Sequence, residues 1–251
     1  MSNIILITGG SRGLGRSAAL HLAERGHDVV ITYRAQKADA DAVVAEVESK
    51  GRKAVALALD VSDSHTFAEF ANTLRSVLAN HWQRETFDGL LNNAGMALHE
   101  PFVSTTEAQF DAVIDAHVKG PYFLTQQLLG LIADGGAILN VSSGLARFSM
   151  AGTSVYGAAK GAVEVLTRYL ATELAERRIR VNVIAPGAIA TDFGNGRVRD
   201  NPETNAYVAS ITALGRPGQP DEIGSAMAML LSEEARWING ERIEASGGMR
   251  L

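Results

Sequence analysis

Short runs of β-branched and other apolar residues alternate along this chain with longer, alanine-rich stretches of helical spacing. Seven runs predict strands, at 3–8, 28–33, 53–60, 87–93, 136–143, 179–187 and 241–245. Six stretches predict helices, at 13–25, 38–50, 64–80, 106–133, 153–178 and 220–232. Because such strict alternation places helices on both faces of a sheet, we expect an α/β fold with a doubly wound, seven-stranded parallel sheet.

The length and composition of the chain fit one globular domain over 1–251. Of its 251 residues 46% are hydrophobic and 20% charged, and no low-complexity linker divides them. The formal charge of −5 offers no basic surface to nucleic acid, and the lack of cysteine excludes disulfides and thiolate chemistry. We see no signal peptide, no membrane-spanning run and no histidines at metal-ligand spacing. A cytoplasmic protein without a metal or a membrane partner is therefore expected.

The stretch 188–216 is rich in glycine, asparagine and aspartate, and it lies between the sixth strand and the helix at 220–232. Long excursions inside a compact domain usually serve a function. We expect this one to be a lid over a substrate site.

The sequence ITGGSRGLG joins the first strand to the first helix, at the edge where open α/β sheets bind ligands. Its glycines have no Cβ, so the backbone N–H groups and the helix N-terminus can approach a pyrophosphate. The spacing is G-x-x-x-G-x-G, and glycine-rich turns also arise from tight packing alone. The position between a strand and a helix favours a nucleotide site, for which the candidates are Gly9, Ser11, Arg12, Gly13, Leu14 and Gly15.

The end of the second strand indicates which nucleotide fits. An acidic residue there would bind a ribose 2′-hydroxyl, but this strand ends in Tyr33 and Arg34. Arg12 adds a second guanidinium, and two such groups suit a 2′-phosphate. The alternative is that both arginines are solvated surface residues.

Tyr156 and Lys160 stand four positions apart in the stretch TSVYGAAKGAVEVL. On a helix this spacing places both side chains on one face, and a neighbouring cation lowers the pKa of a phenol. The pair could prepare a proton donor, although any helix offers many pairs at this spacing.

Six motifs occur in the order found in the short-chain dehydrogenase/reductase superfamily, which the chain resembles from residue 4 to SGGM at 246–249. They are TGGSRGLG, LDV at 59–61, NNAG at 92–95, Ser143, Tyr156-x-x-x-Lys160 and PGAIAT at 186–191. The resemblance implies a Rossmann-like sheet and hydride transfer between a nicotinamide and a carbonyl carbon. With the two arginines it implies NADP(H). Relatives commonly pair the helices at 106–133 and 153–178 across a two-fold axis, so a homo-oligomer, a tetramer, is expected.

The resemblance also assigns roles to residues. Those implied to contact the cofactor are Asp60 and Val61 at the adenine, Asn93, Ala94 and Gly95 beneath the nucleotide, and Pro186, Gly187, Ile189 and Thr191 beside the nicotinamide. Tyr156 would be the general acid/base, and Lys160 would bind the nicotinamide ribose and lower the tyrosine pKa. Ser143, 13 residues before Tyr156, would bind the substrate oxygen, with Ser142 as the alternative.

Two positions depart from the family pattern. His117 stands where the family has an asparagine that helps hold a proton-relay water, and SGG at 246–248 replaces Asp-Gly-Gly. Either the backbone at His117 still holds the water and the ring fills space, or the imidazole joins the proton route to Lys160. If the ring takes part, we expect its ionisation between about pH 5.5 and 7.5.

The predicted function is NADP(H)-dependent transfer of hydride between the nicotinamide and a ketone or secondary alcohol, with a 3-oxoacyl thioester among the candidate substrates. A non-catalytic NADP(H) sensor would have no reason to keep Ser143, Tyr156 and Lys160 together. A methyltransferase would not need the tyrosine and lysine. Quinones, sugars and steroids also stay open as substrates, and the residues expected to line the pocket are Met96, His99, Arg147, Phe148, Met150, Phe193 and 194–210.

Overall fold

The computed structural model describes residues 2–251 and contains a seven-stranded sheet in which every neighbouring pair is parallel. The strands are β1 (Ile4–Ile7), β2 (Asp28–Tyr33), β3 (Ala54–Ala58), β4 (Phe87–Asn92), β5 (Ile132–Val141), β6 (Arg180–Pro186) and β7 (Arg242–Ala245). Their order across the sheet is β3-β2-β1-β4-β5-β6-β7. The predicted fold class is confirmed.

The helices cover both faces of this sheet. They are α1 (Gly13–Glu24), α2 (Lys37–Ser49), α3 (Phe67–Val77), α4 (Glu107–Ile114), α5 (Gly120–Leu128), α6 (Ser154–Glu173), α7 (Arg197–Asp200), α8 (Pro202–Ser210) and α9 (Pro220–Leu230). Within residues 2–251, no helix combines the length and the apolar character that a membrane crossing needs.

Side-chain alternation along β1 shows how the core is divided. Ile5 and Ile7 pack into the cluster beneath α1, α2 and α9, whereas Ile4 and Leu6 pack into the cluster beneath α3, α5 and α6. All four side chains are fully buried. Each contributes about 1.5–3 kcal/mol of hydrophobic stabilisation, which is why a strand covered on both faces has an unbroken apolar sequence.

Two predicted boundaries are wrong. The single helix expected at 106–133 is interrupted by one π-helical turn, Asp115–Lys119, between α4 and α5. Strand β5 begins at Ile132 rather than 136, because Gly135 adopts a φ of 80° and the pairing register with β4 shifts between Phe87 and Gly89. The stretch 188–216 contains the helices α7 and α8; the first turn of α8 is capped by Asn201, whose side chain accepts a 2.7 Å hydrogen bond from the Thr204 N–H.

The order of the strands locates the site. The chain leaves β1 toward β2 on one side, and after β3 it crosses back to β4 on the other side. This reversal opens a crevice at the carboxyl ends of β1 and β4, where parallel α/β sheets bind ligands.

Candidate active site

The turn between β1 and α1 has the shape of a phosphate-binding cradle. Gly9 has a φ of 66°, and a Cβ there would come within 3.0 Å of the Cα of Ala94. A Cβ on Gly15 would lie 2.3 Å from the carbonyl oxygen of Gly9. No side chain caps the first turn of α1, so its leading N–H groups stay open to a ligand. Gly13 has a φ of 55°, and a Cβ there would lie 3.9 Å from Cβ of Thr191, an ordinary van der Waals contact.

Asn93 fixes this cradle to the end of β4. Its side-chain N–H₂ donates to the carbonyl oxygens of Thr8 and Gly9, at 2.9 and 3.1 Å. The Thr8 hydroxyl oxygen in turn accepts hydrogen bonds from the backbone N–H groups of Asn93 and Ala94, each at 3.0 Å. Sequence reasoning missed Thr8, although it opens the motif TGGSRGLG. Asn93 therefore shapes the turn that would hold the nucleotide.

The arginines expected at the ribose are available for a ligand. The side chains of Arg12 and Arg34 are exposed, and neither makes a hydrogen bond or ion pair within the described chain, residues 2–251. Asp60 uses one carboxylate oxygen for the N–H and hydroxyl of Ser62, at 2.9 and 2.6 Å. Burial opposes ionisation of Asp60, but the Ser62 bonds and the charge of Arg34 outweigh it and hold its pKa below the usual range. Arg34 thus lies near the predicted adenine contact.

Ser143, Tyr156 and Lys160 meet at the carboxyl end of β5. Lys160 is 5% exposed, its ammonium donates to the carbonyl oxygen of Val141 at 2.6 Å, and it lies 5.5 Å from the centre of the Tyr156 ring. Burial lowers the pKa of Lys160 to about 7. Burial also raises the pKa of Tyr156, while the nearby Ser143 hydroxyl acts in the opposite direction. The three side chains form the group that the sequence predicts.

The choice between the two serines follows from burial. The hydroxyl of Ser142 is buried and donates to a carboxylate oxygen of Glu164 at 2.6 Å. Ser143 is half-buried, and its hydroxyl accepts a hydrogen bond from the N–H of Leu145 at 3.2 Å and lies beside the phenol of Tyr156, with no carboxylate of residues 2–251 bound to it. Ser143 is thus the serine with a hydroxyl free to meet a substrate.

His117 lies in the π-helical turn and is 3% exposed. Its Nε2 lies 2.7 Å from the carbonyl oxygen of Met96 and 3.1 Å from the backbone nitrogen of the same residue. The shorter contact is to an oxygen that can only accept a hydrogen bond, so we assign the proton to Nε2 and leave Nδ1 as an acceptor. The ring lies edge-on to Tyr156, with 5.2 Å between ring centres. A Cβ on Gly95 would lie 2.3 Å from the His117 ring, so the glycine makes room for the imidazole.

The expected ionisation of His117 between about pH 5.5 and 7.5 is wrong. Burial, and next the charge of Lys160, lowers the pKa of His117 to about 3. The imidazole is therefore neutral at neutral pH. Its Nδ1 and the side-chain oxygen of Asn92 are buried without a partner in residues 2–251. Both residues line a cavity of about 10 Å³ together with Lys160 and Asn140.

The residues expected around the substrate are only partly brought together. The Phe193 ring lies 6.1 Å from the Tyr156 ring, and Met96 contacts His117. His99 packs on Gly152, where a Cβ would lie 2.8 Å from the imidazole. The guanidinium of Arg147 binds Glu244 and the carbonyl oxygens of residues 249 and 250, so its donors are occupied within the protein, and its place in the substrate pocket stays a prediction.

The altered SGG segment touches the nicotinamide side of the site. A Cβ on Gly187 would lie 2.9 Å from the Cα of Ser246. The Ser246 hydroxyl also accepts a hydrogen bond from the Met249 N–H at 3.3 Å. Ser246 therefore packs directly beneath a residue that the resemblance places beside the nicotinamide.

Comparisons with known proteins agree with this geometry. A family model described as enoyl-(acyl carrier protein) reductase matches residues 9–250. An uncharacterized oxidoreductase of Methylorubrum extorquens is 38% identical over 98% of this chain and 97% of its own. The 3-oxoacyl-(acyl carrier protein) reductase FabG of Staphylococcus aureus is 36% identical over 100% of this chain and 99% of its own. The angucycline C-6 ketoreductase LanV, solved with bound NADP, has a TM-score of 0.94 at 32% identity, over 99% of this chain and 95% of that chain.

These matches span nearly the whole chain, and together with the parallel sheet and its glycine cradle they define an α/β oxidoreductase that binds a dinucleotide. Within that class the chain belongs to the short-chain dehydrogenase/reductase family, as its motifs predict.

Proposed function

We propose that this enzyme reduces a ketone to a secondary alcohol with NADPH, or performs the reverse oxidation with NADP⁺. The observation that carries the proposal is the placement of Ser143, Tyr156 and Lys160 beside the glycine cradle. The names of FabG and LanV describe a 3-oxoacyl reductase and a ketoreductase. Both support reduction of a carbonyl rather than of a carbon–carbon double bond. A 3-oxoacyl group on an acyl carrier protein and an angucycline ketone are the substrates that the names of these relatives state, and both are ketones.

Support for NADP(H) comes from the two free guanidiniums. Arg12 and Arg34 lack protein partners in residues 2–251, and their planar forks match the oxygens of a 2′-phosphate. The open N–H groups at the start of α1 suit the pyrophosphate. LanV, which shares the fold, binds NADP. The bound nicotinamide would supply or accept the hydride.

Tyr156 gives the substrate oxygen its proton as hydride reaches the carbonyl carbon. Its raised pKa keeps the phenol protonated, as a donor must be. In the oxidative direction the phenolate must form, and the ammonium form of Lys160, 5.5 Å from the ring centre, and the charge of a bound oxidised nicotinamide would both favour the phenolate. Ser143 donates a hydrogen bond to the developing oxyanion.

We infer that a water in the 10 Å³ cavity carries protons to Lys160, since a space of that size holds about one water. The water would accept a hydrogen bond from the ammonium and donate to Nδ1 of His117 and to the side-chain oxygen of Asn92. These three bonds would satisfy both unpartnered atoms. With its pKa near 7, Lys160 can hold and release a proton at neutral pH. His117 then serves as a neutral acceptor in the relay.

We also infer a homotetramer in which α5 and α6 meet a second copy. Tyr122, Val165 and Tyr169 are 44%, 44% and 64% exposed along these helices. They line an apolar groove of about 550 Å³. A monomeric mass by light scattering at micromolar concentration would refute this arrangement. The single domain over 1–251, the lid at 188–216 and the cytoplasmic location stay predictions from the sequence.

A substrate panel tests the proposed function. Cyclic ketones, a 3-oxoacyl thioester, a quinone and an enoyl thioester are offered with NADPH or NADH, and the products are identified by mass spectrometry. We expect reduction of a carbonyl, with a higher kcat/KM for NADPH. Reduction of the enoyl thioester alone, equal use of NADH, or no turnover with any carbonyl would each contradict the proposal.

A further inference from the structure

Four charged side chains of alternating sign connect the edge strand β7 to the loop that carries Ser143. We define this ion network as Glu164, Arg242, Glu244 and Arg147. Arg242 donates to Glu164 and to Glu244, each at 2.6 Å. Arg147 reaches Glu244 at 3.2 and 3.3 Å. The four side chains come from α6, from β7 and from the loop after β5, so no local sequence pattern predicts the network.

Alternation along β7 directs the network toward the catalytic loop. Ile243 and Ala245 pack against the apolar cluster beneath α1 and α9. Arg242 and Glu244 therefore project from the other face. Glu164 lies one helical turn after Lys160 on α6, which brings its carboxylate to the same place. The network thus lies against the side of the site that faces away from the glycine cradle.

Of the three consecutive residues around the catalytic serine, two make polar contacts to the network and the third lies beside it. The Ser142 hydroxyl donates to Glu164 at 2.6 Å. The guanidinium of Arg242 approaches the Ser143 carbonyl oxygen at 3.5 Å, and a Cβ on Gly144 would lie 3.7 Å from Glu244. Within its own turn Ser143 also accepts from the N–H groups of Leu145, at its hydroxyl, and of Ala146, at its carbonyl oxygen. The conformation of the serine loop is therefore set by the network together with the backbone bonds of the turn.

Stability alone does not account for these charges. The Glu164 and Arg242 side chains are 15% and 22% exposed, so both are largely removed from water. Desolvation offsets much of the attraction in such pairs, and well-packed apolar residues in their place often give a protein equal or greater stability. What a charged network adds is direction, because a guanidinium fixes its partners through bonds of defined geometry.

We propose that Arg242 is a positioning residue for Ser143, holding the serine hydroxyl where it meets the substrate carbonyl oxygen. The inference rests on the proposed function and assigns to Arg242 no contact with substrate. It acts through Glu164 and Ser142 on one side of Ser143, and through Glu244 on the other. A merely structural role would instead tie β7 to the sheet and leave the orientation of the serine unaffected.

A double-mutant cycle separates the two roles. Arg242→Met removes the guanidinium and keeps the side-chain stem, and kcat should fall about 10- to 100-fold, the effect expected when an orienting group moves by about 1 Å. KM for NADPH should not change, because the network does not touch the cradle. In a Ser143→Ala background the same substitution should lower kcat no further. An equal fall in both backgrounds, or an unchanged kcat in the presence of Ser143, would overturn the inference.

Arg25→Met is the matched control. It removes a guanidinium that pairs with Glu234 at 3.0 Å, far from the site, and should leave kcat at the wild-type value. If Arg242→Met does not fold, Glu164→Gln and Arg242→Lys take its place, and a fall in kcat confined to the Ser143 background is expected of each.

Amide hydrogen exchange of residues 141–148 tests the inference without turnover. Exchange should be faster in the Arg242 and Glu164 variants than in the wild type or Arg25→Met. Unchanged exchange would overturn the inference. Failure of the wild type to reduce any carbonyl would contradict the proposed function instead, so the two failures are distinguishable.

Discussion

Asp28 at the amino edge of the sheet and Lys160 at the carboxyl edge are both buried ionisable groups, with exposed fractions of 3% and 5%. Their surroundings differ. Asp28 accepts five hydrogen bonds, from the side chains of Ser2, Arg52 and Trp82 and from the N–H of Lys53. The ammonium of Lys160 donates to one carbonyl oxygen. Within residues 2–251 it has no second hydrogen-bond acceptor and no ion pair with a carboxylate.

The pKa values show the same difference. Burial opposes the ionisation of Asp28, but its hydrogen bonds and the charge of Arg52 outweigh burial and hold its pKa below the usual range. Around Lys160 and His117 nothing outweighs burial, which lowers the pKa of Lys160 to about 7 and, together with the charge of Lys160, that of His117 to about 3. The surroundings of Asp28 therefore stabilise a fixed charge, whereas those of Lys160 keep its ammonium near the balance between the charged and neutral forms at neutral pH.

This contrast separates structural from functional polar groups. A buried cluster with every hydrogen bond made is rigid and specifies the fold. Buried atoms without partners, such as Nδ1 of His117, are rare in proteins and call for an explanation. Here the explanation is a site that a ligand and a water complete.

Tyr156→Phe should give the largest effect, a loss of turnover at the carboxyl edge of the sheet without a loss of stability. The substitution removes one hydroxyl and keeps the ring that packs on His117 and Phe193. We expect kcat to fall by about 10³-fold or more, since positioned proton transfer contributes about 10²–10⁴. NADPH affinity, measured by fluorescence titration, and the unfolding midpoint should stay at wild-type values. Undiminished turnover by the folded variant would remove Tyr156 from the proton-transfer role.

Asp28→Asn should have the opposite effect, lowering the free energy of unfolding while leaving turnover unchanged. The variant leaves Arg52 without its carboxylate, and breaking such a buried pair lowers the free energy of unfolding by about 3–5 kcal/mol. Urea denaturation followed by Trp82 fluorescence measures it, while kcat at low temperature should stay near the wild-type value. Asp41→Asn is the control: its pair with Lys37 is exposed, so its loss should leave the free energy of unfolding nearly unchanged. Equal losses from both variants would refute the contrast.

Replacing both Arg12 and Arg34 with alanine should weaken NADPH binding and spare NADH. Hydrogen bonds to charged groups contribute about 1.5–3 kcal/mol each, so kcat/KM for NADPH should fall by about 10²-fold or more. The NADH value should hardly change, since NADH has no 2′-phosphate. Arg25→Ala, which removes a guanidinium at the other edge, should alter neither. A parallel loss for both cofactors would mean that the arginines do not bind the phosphate.

His117→Asn should give the smallest effect, seen in acid. The folded-state pKa of His117 is about 3 and its ordinary value 6.5, so the unfolded chain takes up a proton first as pH falls. The stability from the neutral ring is complete above about pH 6.5 and is lost progressively toward pH 3. Between neutral pH and about pH 5 the free energy of unfolding should therefore fall by about 2 kcal/mol more in the wild type than in the asparagine variant. Urea unfolding of both proteins at neutral pH and at about pH 5 measures the difference.

His65→Asn is the control for the acid experiment, because it makes the same substitution at an exposed histidine. The relay has its own test in turnover. His117→Asn keeps a side-chain acceptor, whereas His117→Phe removes it. Equal kcat values for these two folded variants would mean that the relay does not use the side chain at position 117.

The fold and the centre of the site could be predicted because their signals are local. Runs of apolar residues with period two or 3.6 define strands and helices, so the parallel sheet follows from the order of the runs. The glycine spacing defines the cradle, and the spacing of Tyr156 and Lys160 places them on one helix face. The boundary near residue 132 was missed because Asp134 and Gly135 are typical of a turn, yet Ile132 pairs with Phe87 and Ala137 with Gly89, so both lie in an irregular stretch inside β5.

The sequence by itself determined the doubly wound sheet, the cradle and the Ser–Tyr–Lys group, since each is encoded in residues close together or in a fixed order. Only the tertiary structure decided that Arg147 turns to the C-terminal segment, that His117 bonds Met96, and that the ion network surrounds the serine loop. These contacts join residues distant in the chain, and their energies depend on burial and distance, which exist only after the sheet has brought the elements together.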